Sequence, residues 1–245
     1  MIRLTIEDLE SDSSLVLCQG TPLIMNGMRP VPPNIVYCGM MQCREPQPLP
    51  PDLQQFMDAA TEGVVYVSFG SVLQGSQVPQ DKKEALMKVF GSLKQKVLMK
   101  WETERMEEQP SNLTLKKFLP QQDILGHHNC VAFITHAGYL SFEESLCHRV
   151  PMLATPICYD QFDNAAEIES LGVGRSVKFT DITENNLKQA LVEVNINFEG
   201  KSRALSCRLL PLPVKLCKTF YLIFTVFTWD QGENSTDNVS SMLIN

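Results

Sequence analysis

No basic run in the sequence is longer than Lys82-Lys83 or Lys116-Lys117, and 21 Lys plus Arg are outweighed by 28 Asp plus Glu, leaving a net charge of −7. A chain of that sign repels phosphate backbones and anionic lipid surfaces, so nucleic acid and membrane surfaces are excluded as bulk partners. Cysteine is not scarce, but the pattern metal chemistry needs is missing: there is no C-x-x-C pair and no Cys/His cluster at zinc spacing. Cys18, Cys38, Cys43, Cys130, Cys147, Cys158, Cys207 and Cys217 are therefore expected as buried free thiols, and no metal site is expected. Long apolar runs are lacking too. Thr219 to Trp229 is apolar for only 11 residues, between Lys218 and Asp230, where a bilayer span needs about 20. Glu7, Asp8, Glu10 and Asp12 interrupt any apolar leader at the other end. Neither a secretory leader nor a complete membrane anchor is expected, which leaves the compartment open. G-x-G-x-x-G and Walker A sequences are also absent, disfavouring ordinary dinucleotide enzymes and P-loop NTPases.

What is present is enough for a globular core: 245 residues, 44% hydrophobic and 20% charged. Ser14 to Gln19 and Asn34 to Gly39 read as short strands with no helix between them. Glu45 to Pro51 then carries four prolines in seven residues, which favours an extended linker and marks a domain boundary. Beyond it, β-branched runs alternate with amphipathic segments. Strands are expected at 64–69, 96–101, 113–118, 131–135, 151–155 and 174–178, and helices at 81–93, 121–126, 141–148, 163–171 and 183–194. Six strands interleaved with helices imply a doubly wound parallel sheet, and such sheets bind ligands in the loops at the carboxyl ends of their strands.

Three of those loops hold polar residues suited to a ligand. Gly70-Ser71 after the first strand permits close backbone approach and offers a hydroxyl, or is simply a tight turn. His136 to Ser141 leads from a strand into a helix, a natural seat for an anion. The same stretch admits a structural account, because Ser141-x-x-Glu144 is a capping box and His136 is equally at home as a core histidine. Asp160, Gln161, Asp163 and Asn164 present carboxylates and amides suited to vicinal hydroxyls, while Asp163 also suits a helix N-cap.

The linked runs Phe118-Leu119-Pro120-Gln121, Thr135-His136-Ala137-Gly138, Ser141-Phe142-Glu143-Glu144, Val150-Pro151-Met152 and Asp160-Gln161-Phe162-Asp163-Asn164 resemble the donor-binding signature of the UDP-glycosyltransferases. The likeness is closest to the animal UDP-glucuronosyltransferase branch and extends from about residue 14 to 209. It implies an α/β, Rossmann-like doubly wound parallel sheet, the C-terminal half of a B-type glycosyltransferase fold, plus a remnant of the N-terminal domain. Residues 1–44 would be that acceptor-domain remnant, 45–60 an interdomain linker, 61–209 the UDP-sugar donor domain and 210–245 a divergent tail.

Carried over by position, the resemblance implies that Phe118 stacks on uracil, Gln121 contacts the uridine and Glu144 binds the ribose. Ser71, His136 and Ser141 would hold the diphosphate, Asp160 and Gln161 the transferred sugar, and Gly138 and Asn164 would also belong to the donor-binding set. Phe118 stands where Trp is commoner, Ala137 where Gly is, and Leu140 where Asn often donates. The implied reaction is inverting transfer of a hexosyl or glucuronosyl group from a UDP-sugar to a small lipophilic acceptor hydroxyl, needing no cofactor or metal. The family's base is a histidine of the N-terminal domain, and none of His127, His128, His136 or His148 matches it, so no catalytic residue is assigned in this chain. Family expectation places the protein at the endoplasmic reticulum membrane. The alternative is a non-catalytic UDP-sugar-binding or regulatory fragment that associates with full-length relatives. An unstable product with no role, its apolar tail exposed, is a third reading.

Overall fold

The computed structural model of the chain describes residues 15–20, 32–38, 40–70, 73, 75–103 and 105–197. Ser71, Cys207, Cys217, the apolar run 219–229 and the polar tail lie outside them. Two short strands, β1 (Val16–Cys18) and β2 (Ile35–Tyr37), pair in parallel as a sheet of their own. The proline-rich segment after β2 is extended only as far as Pro50. Pro51 then occupies the first turn of helix α1 (Pro51–Asp58), where its missing N–H costs nothing. Leu53 and Met57 of α1 are buried against the body that follows, worth about 1.5–3 kcal/mol each. A proline cluster thus hides a helix start within the expected linker.

That body contains β3 (Val64–Ser68), α2 (Gln80–Gly91), β4 (Lys96–Lys100), β5 (Leu113–Lys116), α3 (Gln121–Leu125), β6 (Cys130–Thr135), α4 (Tyr139–His148), β7 (Met152–Ala154), α5 (Gln161–Ser170), β8 (Gly174–Ser176) and α6 (Glu184–Asn197). The six strands form one parallel sheet in the order β5-β4-β3-β6-β7-β8. All five residues of β3 are buried. Alternation along each strand divides its side chains between two apolar layers. Val64, Tyr66, Leu98, Phe133 and Met152 enter one, with residues of α1, α3, α4 and α5. Val65, Val67, Val97, Met99 and Ile134 enter the other, with residues of α2 and α6. Strand order reverses at the junction of β3 and β6, which opens a crevice at the carboxyl ends of those two strands.

Two sequence expectations are corrected. Cys43 and Cys147 are not free thiols: they form a disulfide with Cα atoms 6.3 Å apart, across 104 residues of sequence. Cys18, Cys38, Cys130 and Cys158 carry no disulfide. Asp163 is not an N-cap, because α5 already begins at Gln161 and Asp163 lies in its first turn, where a carboxylate favours the helix dipole. Asn112, the first residue of a glycosylation triplet, spends its side-chain amide on the carbonyls of Phe90, Leu93 and Gln95, closing the turn between α2 and β4.

Candidate functional site

The crevice at the sheet reversal is lined by the residues that follow β3 and β6. Gly70 leaves β3 with φ +69, and a Cβ there would stand 2.8 Å from the His136 ring. Gly138 meets the same ring from the other side, its notional Cβ 2.5 Å from Nε2. His136 is thus held between two glycines, and a side chain at either place would crowd its ring. Between His136 and Gly138, Ala137 adopts φ 63, a left-handed conformation that costs an L-residue about 1–2 kcal/mol. Thr135 Oγ1 accepts the Ala137 N–H at 3.2 Å, and Asn164 Nδ2 donates to the Ala137 carbonyl at 2.9 Å. A backbone outlier so thoroughly pinned is the kind of strain found at ligand sites.

The expected capping box does not form. Helix α4 starts at Tyr139, two residues before Ser141, with Gly138 as N-cap and no side chain capping it. Its first-turn N–H groups are open, and no acidic residue occupies that turn, so the helix end is free to receive an anion. Leu140 is exposed there and adds no side-chain donor. Ser141 and Glu144, released from capping, converge instead on Gln121, whose Nε2 donates to Ser141 Oγ at 3.0 Å and Glu144 Oε2 at 2.7 Å. Tyr66, fully buried, donates its hydroxyl to Gln121 Oε1 at 3.2 Å. The sequence reading missed Tyr66, since a tyrosine inside a buried strand is indistinguishable from core. Burial raises the Glu144 carboxyl, and the Gln121 bond pulls it partly back.

Phe118 stands 81% exposed just ahead of Gln121. A hollow of about 280 Å³ adjoins it, lined among others by Leu53, Leu119 and Pro120. Asp160 is exposed and receives Asn164 Nδ2 at 2.9 Å. Gln161 is different: it is 3% exposed, and its Oε1 accepts the N–H groups of Ile157 and Cys158. It shapes the loop after β7 from within. The structure therefore gathers His136, Gly138, Ser141, Glu144, Gln121, Asp160 and Asn164 at one end of the sheet, with Gln161 beneath them. Ser71 follows Gly70 outside the described residues.

Burial lowers the basicity of His136, opposed by a backbone hydrogen bond with Ser68 and the nearby Asp160 charge, while Lys100 adds to the lowering. Its Nδ1 is out of reach of solvent. His148, half-buried at the far end of α4 near Asp123, Glu45 and Arg44, is depressed mainly by its partial burial as well. In both cases the unfolded chain binds its proton first as pH falls below 6.5, so stability is full above that value and is lost as pH drops through the lower folded pKa. The ligand-free chain is expected to show a lower urea midpoint at pH 5.5 than at pH 7.5. Because raised Glu144 acts in the opposite sense, the comparison belongs in a Glu144→Gln background; a flat profile there would contradict neutral imidazoles.

Two other polar groupings lie away from the crevice. Asp58, His127 and His128 bring their ligand atoms within 4.8 Å of one another. However, His127 Nδ1 accepts the Asn129 N–H at 3.1 Å, so Nε2 carries the proton that faces Asp58 Oδ1 at 3.0 Å. That ring has no free lone pair for an ion, and the trio ties α1 to the loop ahead of β6. A larger hollow, about 990 Å³, lies between α2 and the segment after β4. Lys83, Lys88, Glu84 and Glu107 line it with mixed charge and no convergent set.

The family model described as UDP-glucoronosyl and UDP-glucosyl transferase matches residues 5–206. Among curated relatives, human UDP-glucuronosyltransferase 1A10 is 36% identical over 191 residues, 78% of this chain and 36% of the relative. UDP-glucosyltransferase 2 of Dactylopius coccus is 36% identical over 179 residues, 72% of this chain and 35% of the relative. The chain thus spans about a third of the length of these relatives. Solved structures share the fold at lower identity. The glycotransferase of kitacinnamycin superposes with a TM-score of 0.69 at 21% identity, over 85% of this chain and 54% of that one. A UDP-glucosyltransferase from Polygonum tinctorium gives 0.66 at 21%, over 82% and 50%. Os79 from O. sativa, solved in complex with UDP, gives 0.60 at 18%, over 71% and 45%. With its parallel α/β sheet, and with the family model matched over most of its length, the chain belongs to the UDP-glucuronosyl and UDP-glucosyl transferase family.

Proposed function

We propose that this chain is the donor-binding part of a UDP-glycosyltransferase, holding a UDP-sugar for inverting transfer to the hydroxyl of a small lipophilic acceptor. The observation that carries the reading is the uncapped first turn of α4, reached through the left-handed turn at Ala137. Its N–H groups are donors that a diphosphate satisfies, with the His136 ring alongside. In this reading Phe118 receives the uracil face, Gln121 and Glu144 turn from each other to the uridine and its ribose, and Asp160 takes a sugar hydroxyl. As the glycosidic bond breaks, negative charge grows on the leaving diphosphate, where the His136 ring and the α4 N–H groups are already aimed.

The acceptor side is supplied from elsewhere. All four histidines are accounted for: His127 and His128 beside α1, His148 half-buried at the end of α4, and His136 on the leaving-group side. None is placed to take a proton from an acceptor, so the chain alone binds donor without transferring sugar. Residues 1–44, including β1 and β2, are read as belonging to the acceptor domain. The Cys43–Cys147 disulfide suits an oxidising compartment such as the endoplasmic reticulum lumen. Titration calorimetry with UDP, UDP-glucose and UDP-glucuronic acid, followed by a transfer assay on a simple phenol, tests this. Binding without transfer is expected, and the tighter sugar nucleotide identifies the donor. A folded chain that binds none of the three would end the proposal.

A further inference from the structure

Beyond the donor site as described, one residue stands out by its backbone. Tyr159 adopts φ 53 and is 86% exposed. A bulky side chain in left-handed backbone is a costly outlier, kept only where the surroundings impose it. Here they do so from both sides. Gln161 Oε1 grips the N–H groups of Ile157 at 2.9 Å and Cys158 at 3.1 Å. Asn164 Nδ2 bridges Asp160 Oδ2 and the Ala137 carbonyl, both at 2.9 Å. The second bridge fastens the loop after β7 to the turn after β6 that contains His136. Tyr159 is the residue left between the two grips, with its ring in water. Phe162, 42% exposed, lies on the other side of Asp160.

The order of these groups matters. β6 and β7 are neighbours in the sheet, so the loop bearing Tyr159 and Asp160 is the next station beyond the His136 turn. A group attached to a phosphate seated at His136 would pass to that loop. We propose that Tyr159 is the platform for the hexose ring of the nucleotide sugar: its aromatic face takes the apolar C–H side of the pyranose while Asp160 accepts a hydroxyl from the edge. The inference rests on the UDP-sugar reading above and adds a specificity-determining residue to it. Losing an aromatic face aligned against such a ring is expected to cost roughly three- to tenfold in affinity.

The test is calorimetry of the full chain, Tyr159→Gly and Tyr159→Phe against UDP and UDP-glucose. Glycine adopts φ 53 freely, so Tyr159→Gly is expected to melt no lower than the parent, and a loss of affinity cannot be charged to unfolding. Tyr159→Phe should keep both affinities. Tyr159→Gly should hold UDP within about twofold and lose roughly three- to tenfold for UDP-glucose. Equal loss for both ligands, or no loss for either, would overturn the platform while leaving the donor site standing. A parent chain that binds neither ligand would instead remove the donor reading, and this inference with it.

Discussion

Cys147→Ser is expected to lower the unfolding free energy by about 2–5 kcal/mol, the range for losing a native disulfide that closes a long loop. The bond joins Cys43, seven residues before Pro50, to the last turn of α4, at a sequence separation of 104. It is not an isolated staple. Tyr139, Glu143 and Cys147 share one stripe of α4 at four-residue spacing, and that stripe faces the first part of the chain. Glu143 is fully buried, and its Oε2 accepts Gln19 Nε2 at 2.6 Å and Gln42 Nε2 at 2.8 Å. Arg44 adds a two-pronged ion pair to Asp123 of α3, at 2.6 and 2.9 Å. Although burial works to raise the Asp123 carboxyl, Arg44, the Gln47 N–H and the nearby His148 together hold it low.

Reduction therefore loosens a segment that other bonds still hold, and unfolding should stay cooperative. Urea titrations of the parent with and without reductant, and of Cys43→Ser, Cys147→Ser and the double variant, check this. The two single variants and the reduced parent should coincide, and the double variant should lose no more, because all four remove the same bond. Losses that add would mean that each sulfur acts separately through packing. Ser141 and Glu144 leave the same helix away from that stripe, so the disulfide also steadies the helix that carries two of the proposed donor-site residues.

His136→Ala is expected to weaken UDP binding by roughly 10- to 100-fold, the loss of one hydrogen bond to a charged ligand at about 1.5–3 kcal/mol. Stability should change far less. Some loss is still expected, because the ring is 7% exposed, packed between Gly70 and Gly138 and hydrogen-bonded with the Ser68 backbone. Calorimetry and urea unfolding on the same preparation separate the two effects. A variant that binds UDP normally but unfolds several kcal/mol earlier would make His136 a core residue and dismiss the anion seat.

Much of this was legible in the residues. Runs such as Val64 to Phe69 and Cys130 to Thr135 are apolar on both faces, and only a sheet covered on both sides accepts them. Spaced by amphipathic helices, they determined a parallel α/β sheet and placed the functional loops at its carboxyl ends. Linked motifs from Phe118 to Asn164 determined the family. Tertiary structure decided what local pattern leaves undetermined. Ser141-x-x-Glu144 satisfies a capping box on paper, yet α4 starts at Tyr139 because the left-handed turn at Ala137 delivers Gly138 to the cap position. Eight scattered cysteines allow many pairings, and only the packing of the segment after β2 against α4 selects Cys43 with Cys147. Tyr66 at Gln121, Gln19 and Gln42 at Glu143, and the outward ring of Tyr159 belong to the same class. Periodicity is a property of neighbours a few residues apart, whereas these contacts depend on which strands lie side by side and where each turn hands the chain to the next helix.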